Sequence, residues 1–379
     1  MVTKTEKSVI DITEIKNRQL TGSMATIISI LLLAIVITVL SFVFKASTTF
    51  KFLACMSAIT VLFIALILLL GDKYLKYTLV IPSAVVLFAV TIVPVAFLLI
   101  MSFTDVKLMN FKGKWKYVGF DNYVHFFTND SLFLQAFIRT LEYTIVALII
   151  QLIIGMLLAL LLQKKFKGRN IVSSFLVIPV MTCPIVIAML WKSMLNSDNG
   201  VINNILRLIG MNEVHWLTNE PLGIFRIIPF AGDYIIKFLN GNIGFLTILI
   251  VNTWQWTPFV FLMLMAGLSA LSPEPYEAAI VDGANKWKIF RYVTLPLLKP
   301  VINVVIIMRL IDLMKVYDQI YALFGDNITM RTLNIHIFAI GLTNQDYGKG
   351  SALSVIVLVF IILLTKTLMT INENIGEKR

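Results

Sequence analysis

Eight apolar runs dominate the chain, and each is close to the roughly 20 residues that an α-helix needs to cross the hydrocarbon of a bilayer. They are Met24–Phe44, Phe52–Leu70, Thr78–Phe103, Thr140–Leu162, Ile171–Met194, Ile243–Leu271, Val301–Phe324 and Lys349–Ile371. Composition agrees: of 379 residues, 58% are hydrophobic and 14% charged, and the mean hydropathy of +0.88 lies above that of soluble domains. The expected fold class is an all-α polytopic membrane protein with eight transmembrane helices. A polar leader precedes the first run, and no small-residue cleavage pattern follows it. A retained anchor is therefore expected there, not a signal peptide.

Short loops rich in Lys and Arg stay in the cytoplasm. The densest is QKKFKGRN, Gln163–Asn170. With that loop inside, counting spans outward places the N-terminus, GDKYLKY, the segment around Glu277 and the tail NENIGEKR inside as well. One loop runs against the rule, since Asp105–Tyr123 carries four lysines and falls outside; its length weakens the rule there. The net charge of +11 is spread beside apolar runs and forms no single patch, which speaks for membrane anchoring and against nucleic acid. Cys55 and Cys183 both lie inside apolar runs, and His125, His215 and His336 are scattered. Neither a disulfide framework nor a metal site is implied. Pro82, Pro94, Pro179, Pro184 and Pro258 fall within runs, where each permits a kink. No fixed-period repeat occurs, and the polar segment Asn196–Asn242 is expected to cap the outer face.

Between the sixth and seventh runs stands EAAIVDGANKWKIF, Glu277–Phe290. Ser272 is expected to cap a short helix with Pro273 and Pro275 in its first turn. Gly283 is suited to the left-handed conformation that closes such a helix. Asn285 is then placed to cap a second short helix, with an apolar stripe of Trp287, Phe290 and Val293, ending at Leu295-Pro296. From geometry alone this is either a surface helix tucked under the bundle or a docking element.

The ordered residues Glu277-Ala278-Ala279, Asp282-Gly283-Ala284, Phe290, Leu295 and Pro296 resemble the EAA loop of ABC-importer permease subunits. From Thr78 onward, VGFDNYVHFF, VNTWQWTPFVFLMLMAGL, RLIDLMKVYDQIYALFG and YGKGSALSVIVLVFIILL resemble the maltose-type sugar permeases. The resemblance implies residues 1–77 as an N-terminal segment with two extra spans, and 78–379 as a permease core with a cytoplasmic coupling loop at 272–299. It implies a bacterial inner-membrane location, a second related permease, two ATPase subunits, an extracellular solute-binding protein and a carbohydrate substrate. No cofactor is implied in this chain; ATP and Mg belong to the ATPase subunits. Glu277 would orient the loop, Ala278 and Ala279 would let it pack closely, Gly283 would supply the bend, and Asp282, Ala284 and Phe290 complete it. The chain departs from the maltose subunit in lacking its large extra outer domain and in carrying GDNITMRT where a glycine-rich run is usual.

Charged groups within a span are costly and mark pathway candidates. Arg309, Asp312 and Lys315 follow one another at three-residue spacing, which suits an ion-pair ladder, a pathway lining, or both. In NTWQWT the tryptophans read either as an aromatic belt or as stacking faces for a sugar beside amide hydrogen bonds. The resemblance assigns substrate contacts to these two regions: Asn252, Trp254, Gln255, Trp256 and Phe259, and Arg309, Asp312, Leu313, Lys315 and Val316. Gln151 and Thr182 are less informative, while Arg139, Glu142 and Lys192 sit near span ends where snorkelling is usual.

No nucleotide-binding P-loop occurs, since Gly341 stands at the wrong distance from GKGS, Gly348–Ser351. No nucleophile elbow or H-E-x-x-H is present, so no catalytic residues are expected. Rival readings are an ion-coupled secondary transporter, which calls for inverted repeats and in-span carboxylates, a scaffold without transport, or an ABC importer for cargo such as polyamines or phosphate.

Overall fold

A computed structural model describes residues 80, 83–84, 86–163, 166–218, 220 and 242–376, with side chains to 370. The first two apolar runs, the whole of 1–77 and residues 221–241 lie outside the described residues. The chain divides into two compact units, Met1–Ala96 and Phe97–Arg379. Described structure in the first is apolar helix, the beginning of α1 (Val86–Ser102). Described structure in the second is helical, with an isolated β-bridge between Thr104 and Tyr117.

Helix α2 (Asp121–Thr128) leads into α3 (Ser131–Gln163). The buried face of α3 carries Thr140, Tyr143, Thr144, Ala147, Gln151, Gly155, Ala159 and Leu162, whereas Ile145, Ile149, Ile153, Leu157 and Leu161 point outward. Small and polar residues face the neighbouring helix and large aliphatics face away, the arrangement a helix adopts when its surroundings are lipid. At Gly155 the neighbour leaves no room for a side chain: a Cβ there would stand 2.7 Å from Val260 Cγ1. That neighbour belongs to α7 (Ile243–Ser269), the central helix, which is buried along most of its length and stays continuous through Pro258.

Among the described residues, two apolar runs are broken. Ile171–Met194 forms α4 (Arg169–Val177) with a 3₁₀ turn to Met181, then α5 (Pro184–Met194), bent by 101°. Pro179 and Pro184 supply the break, as the sequence suggests. The α6 helix (Val201–Leu208) follows. The seventh run is likewise not one helix, for the chain turns after Met314 and resumes at Asp318. By length and composition, three helices among the described residues suffice to cross a membrane, with the bent pair as a fourth.

The loop after α7 holds α8 (Glu274–Val281) and α9 (Lys286–Ile289). Two expectations need correction here. Pro273, not Ser272, occupies the N-cap, and it caps without a side-chain bond. Nor does the second helix end at Leu295-Pro296: it passes through a π-helical turn, Phe290–Thr294, into α10 (Leu295–Met314). The π turn shifts the hydrogen-bond register, so the N–H that Pro296 lacks falls where a new helical segment begins. Beyond α10 come α11 (Asp318–Phe324), α12 (Leu333–Phe338), a second π turn to Thr343, and α13 (Tyr347–Gly376). Asp130 fastens α12 to the start of α3. Its Oδ1 accepts from the N–H groups of Leu132 and Phe133, at 2.9 and 3.2 Å, and its Oδ2 lies 2.8 Å from His336 Nε2.

Candidate functional site

Five buried polar side chains meet where α3, α7, α10 and α11 pack. Arg309 Nε donates to Gln151 Oε1 at 3.0 Å, and Gln151 Nε2 donates to Asn252 Oδ1 at 2.8 Å. Asn252 Nδ2 donates to Gln319 Oε1 at 2.5 Å, and Gln319 Nε2 donates in turn to Gln255 Oε1. Gln255 Nε2 ends the series on the backbone carbonyl of Thr182, 2.9 Å away at the α4–α5 bend. Each of these five side chains belongs to a residue no more than 2% exposed. A guanidinium only donates and a backbone carbonyl only accepts, so the two ends fix the orientation of every amide between them. All the bonds run in one direction, and each polarises the next.

Arg309 is held on two further sides. Asp312 Oδ2 lies 3.4 Å from its Nη1, and the Trp256 ring lies 4.6 Å from its Cζ. Asp312 is half exposed, at 47% of its side chain, so the carboxylate is the end of the series open to the surroundings. Tyr143 also lies buried against this cluster's apolar flank, and its hydroxyl has no partner among the described residues.

Of the residues expected to line a pathway, Asn252, Gln255, Trp256, Arg309 and Asp312 are brought together. Trp254 is not with them: it points into an apolar cleft of about 650 Å³ between α3, α4 and α7 and stacks edge-on against Trp191, 5.7 Å between ring centres. Thr253 and Thr257 line the same cleft, and their hydroxyls have no partner among the described residues. Leu313 is in the apolar core beside Tyr143 and Phe245, with Val316 packed against it. Phe259 packs on the separate cluster around Val260 and Phe261. Lys315 is exposed at the C-cap of α10, outside any ion pair among the described residues, so the expected ladder stops at its first rung. Lys192 and Arg139 reach backbone carbonyls of Ala322 and Ile328, at 3.0 and 2.7 Å.

The loop residues form a second site. Gly283 has φ of 75°, and it closes α8 by two backbone bonds, Gly283 N–H to Ile280 O at 3.0 Å and Ala284 N–H to Ala279 O at 2.9 Å. This pair of bonds is the Schellman closure, which needs a left-handed residue at that point. Asn285 caps α9 by accepting from the Lys288 N–H at 2.8 Å, as its place in the sequence implies. Tyr276 Oη donates to Thr294 Oγ1 at 3.2 Å and ties α8, the first arm of this bent loop or hook, to the π turn. Glu277, Ala278, Asp282 and Gly283 are exposed, while Ala279, Ala284 and Phe290 are half-buried. Ile280, Val281, Trp287 and Tyr292 are all more than 60% exposed. Apolar and charged side chains thus share the exposed surface of this loop.

Sequence reasoning missed Gln319 and undervalued Gln151 and Thr182. The available signal was an amide inside an apolar helix, which must find a partner when buried. Which face it lies on was not legible.

The chain is similar to two curated proteins in sequence and to a solved structure in fold. The chain is 32% identical over 295 residues to the trehalose/maltose transport system permease protein MalF of Thermococcus litoralis, covering 78% of this chain and 92% of that protein. It is 29% identical over 277 residues to the arabinooligosaccharides transport system permease protein AraP of Bacillus subtilis, covering 72% and 80%. In fold it is similar to a chain from the crystal structure of a bacterial alginate ABC transporter in complex with alginate pentasaccharide-bound periplasmic protein, with a TM-score of 0.65, 22% identity, and coverage of 80% and 95%. A family model matches residues 151–377, which hold the buried amides and the exposed hook alike. With that match over more than half its length, the chain belongs to the binding-protein-dependent transport system inner membrane components.

Proposed function

We propose that this chain is the membrane permease subunit of an ATP-driven, binding-protein-dependent carbohydrate importer, one half of a translocation pathway across a bacterial inner membrane. The exposed hook at 272–299 carries the reading. Its bend is fixed by Gly283, its outer surface is apolar and unpartnered among the described residues, and it leads without interruption into α10, which bears Arg309 and Asp312. Motion applied to α8 is thereby delivered to the buried amides. Glu277, Ala278, Ala279, Asp282, Gly283, Ala284 and Phe290 form the surface that docks an ATPase subunit. Asn252, Gln255, Trp256, Arg309 and Asp312 face the path of the sugar once the bundle rearranges, an aromatic face beside amide hydrogen bonds being what a sugar ring requires.

The remainder of the assembly follows by analogy with the family. Eight spans place both termini and the hook in the cytoplasm, with residues 1–77 adding two spans to the 78–379 core. A second related permease completes the pathway, and two ATPase subunits bind ATP and Mg. A loaded solute-binding protein biases the bundle from outside while ATP biases it through the hook, so the pathway alternates between two states. Carbohydrate cargo is supported by relatives named for trehalose, maltose and arabinooligosaccharides. Purification through a tag on this chain tests the assembly: ATPase subunits are expected in the complex, and a complex without them overturns the reading.

A further inference from the structure

Both ends of the Gln255 amide are engaged, Oε1 by Gln319 and Nε2 by the Thr182 carbonyl. Asn252 is engaged likewise, by Gln151 and Gln319. Among the described residues, Gln319 is therefore the one side chain bound to both amides. Thr182 is also no ordinary acceptor. At the 101° bend the next carbonyl, that of Cys183, takes the N–H groups of both Val186 and Ile187, at 3.1 and 3.2 Å. Gln255 gives Thr182 the donor that the break withholds. The bend, the two amides and α11 thus share one series of bonds.

Resting on the importer reading above, we propose that Gln319 is a positioning residue that latches the empty pathway shut. No sugar hydroxyl reaches Asn252 or Gln255 while both are paired and buried. Opening requires Gln319 to release them, and each released amide end is then bare in a low-dielectric interior unless a hydroxyl replaces it. Partial opening leaves some amide unpaired wherever the series is cut, so the arrangement favours two states over a continuum. Sugar hydroxyls, donors and acceptors together, satisfy both amides. Idle opening without cargo is opposed by the same chemistry that cargo relieves.

The test uses the full complex in lipid, with ATP hydrolysis measured with and without loaded binding protein. Gln319→Met removes both bonds and is expected to raise unstimulated hydrolysis at least about fivefold, the low end of ordinary coupling between sites. Gln319→Glu adds a signature that mere loss of packing lacks. Its ionised carboxylate only accepts, whereas the protonated acid accepts from Asn252 and donates to Gln255, restoring the series, and burial favours that neutral form. From about pH 8 to about pH 5.5 the leak of Gln319→Glu, relative to wild type at each pH, is expected to fall to the wild-type level. Should Gln319→Met fail to assemble, the acid rescue of Gln319→Glu decides alone. The latch is overturned by a Gln319→Met complex as tight as wild type, or by a Gln319→Glu complex whose leak relative to wild type is no smaller at about pH 5.5 than at about pH 8. A wild-type complex whose hydrolysis ignores the binding protein overturns instead the importer reading beneath it.

Discussion

Arg309 is a guanidinium with almost no exposure, and its neighbours explain why it is tolerated. Gln151 accepts from Nε, Asp312 stands beside Nη1, and Trp256 presents its ring. An Arg309→Met variant keeps much of the volume but strips the donor from Gln151 Oε1, and a buried acceptor left bare costs about 1–3 kcal/mol. We expect a lower thermal midpoint for the purified complex and at least about tenfold slower uptake, because the first bond of a polarised series is lost. Undiminished uptake by Arg309→Met would show that the series is only structural. The Arg309–Asp312 spacing was legible in the sequence, since charges inside an apolar run stand out and residues three apart share a helix face. Lys315 at the same spacing proved different because α10 ends before it. Gln319 was not legible, because its value depends on Asn252 and Gln255 lying opposite, 67 and 64 residues away.

Among elements, the hook was the most readable, because its turn chemistry is local. Gly283 and Asn285 do what their residue types predict, the one by left-handed φ and the other by capping. Nothing lies within 4 Å of where a Gly283 Cβ would be, so the penalty on Gly283→Val is one of backbone conformation and falls on the bend itself. Transport and ATP hydrolysis should become uncoupled in that variant, with membrane insertion unchanged, as checked by uptake and hydrolysis on the same vesicles. The π turn that carries the chain past Pro296 was unreadable, since its bonds replace a helical register that the residues alone would also allow. Contact between helices is a second test. Gly155→Leu drives a side chain into Val260 and the Phe261 backbone, and overpacking of this kind costs about 1–3 kcal/mol or more. Reduced thermal stability is expected from it, with α3 and α7 forced apart. Asp130→Ala removes both the cap of α3 and the partner of His336. Loss of a cap costs about 0.5–2 kcal/mol, so a smaller drop in midpoint is expected there than for Gly155→Leu.

At the scale of the molecule, the apolar runs announced a membrane-embedded helical chain, and the family match agrees. Where the runs break was less legible, because a proline inside a span breaks one helix, as at Pro184, and leaves another continuous, as at Pro258. The difference lies in what surrounds the freed backbone: Gln255 serves the carbonyl at the α4–α5 bend, and α7 is enclosed by neighbours. Arg309 and Asp312 stand on α10, which is continuous with α9 through the π turn, so under the proposed function motion applied at the second arm of the hook reaches them without a break in the helix. The most direct measurement is sugar uptake by proteoliposomes holding this chain with its copurified partners and loaded binding protein, with and without ATP. Uptake that needs ATP and is abolished by Gly283→Val is the expected result; uptake that proceeds without ATP, or survives Gly283→Val undiminished, contradicts a motor seated at the hook.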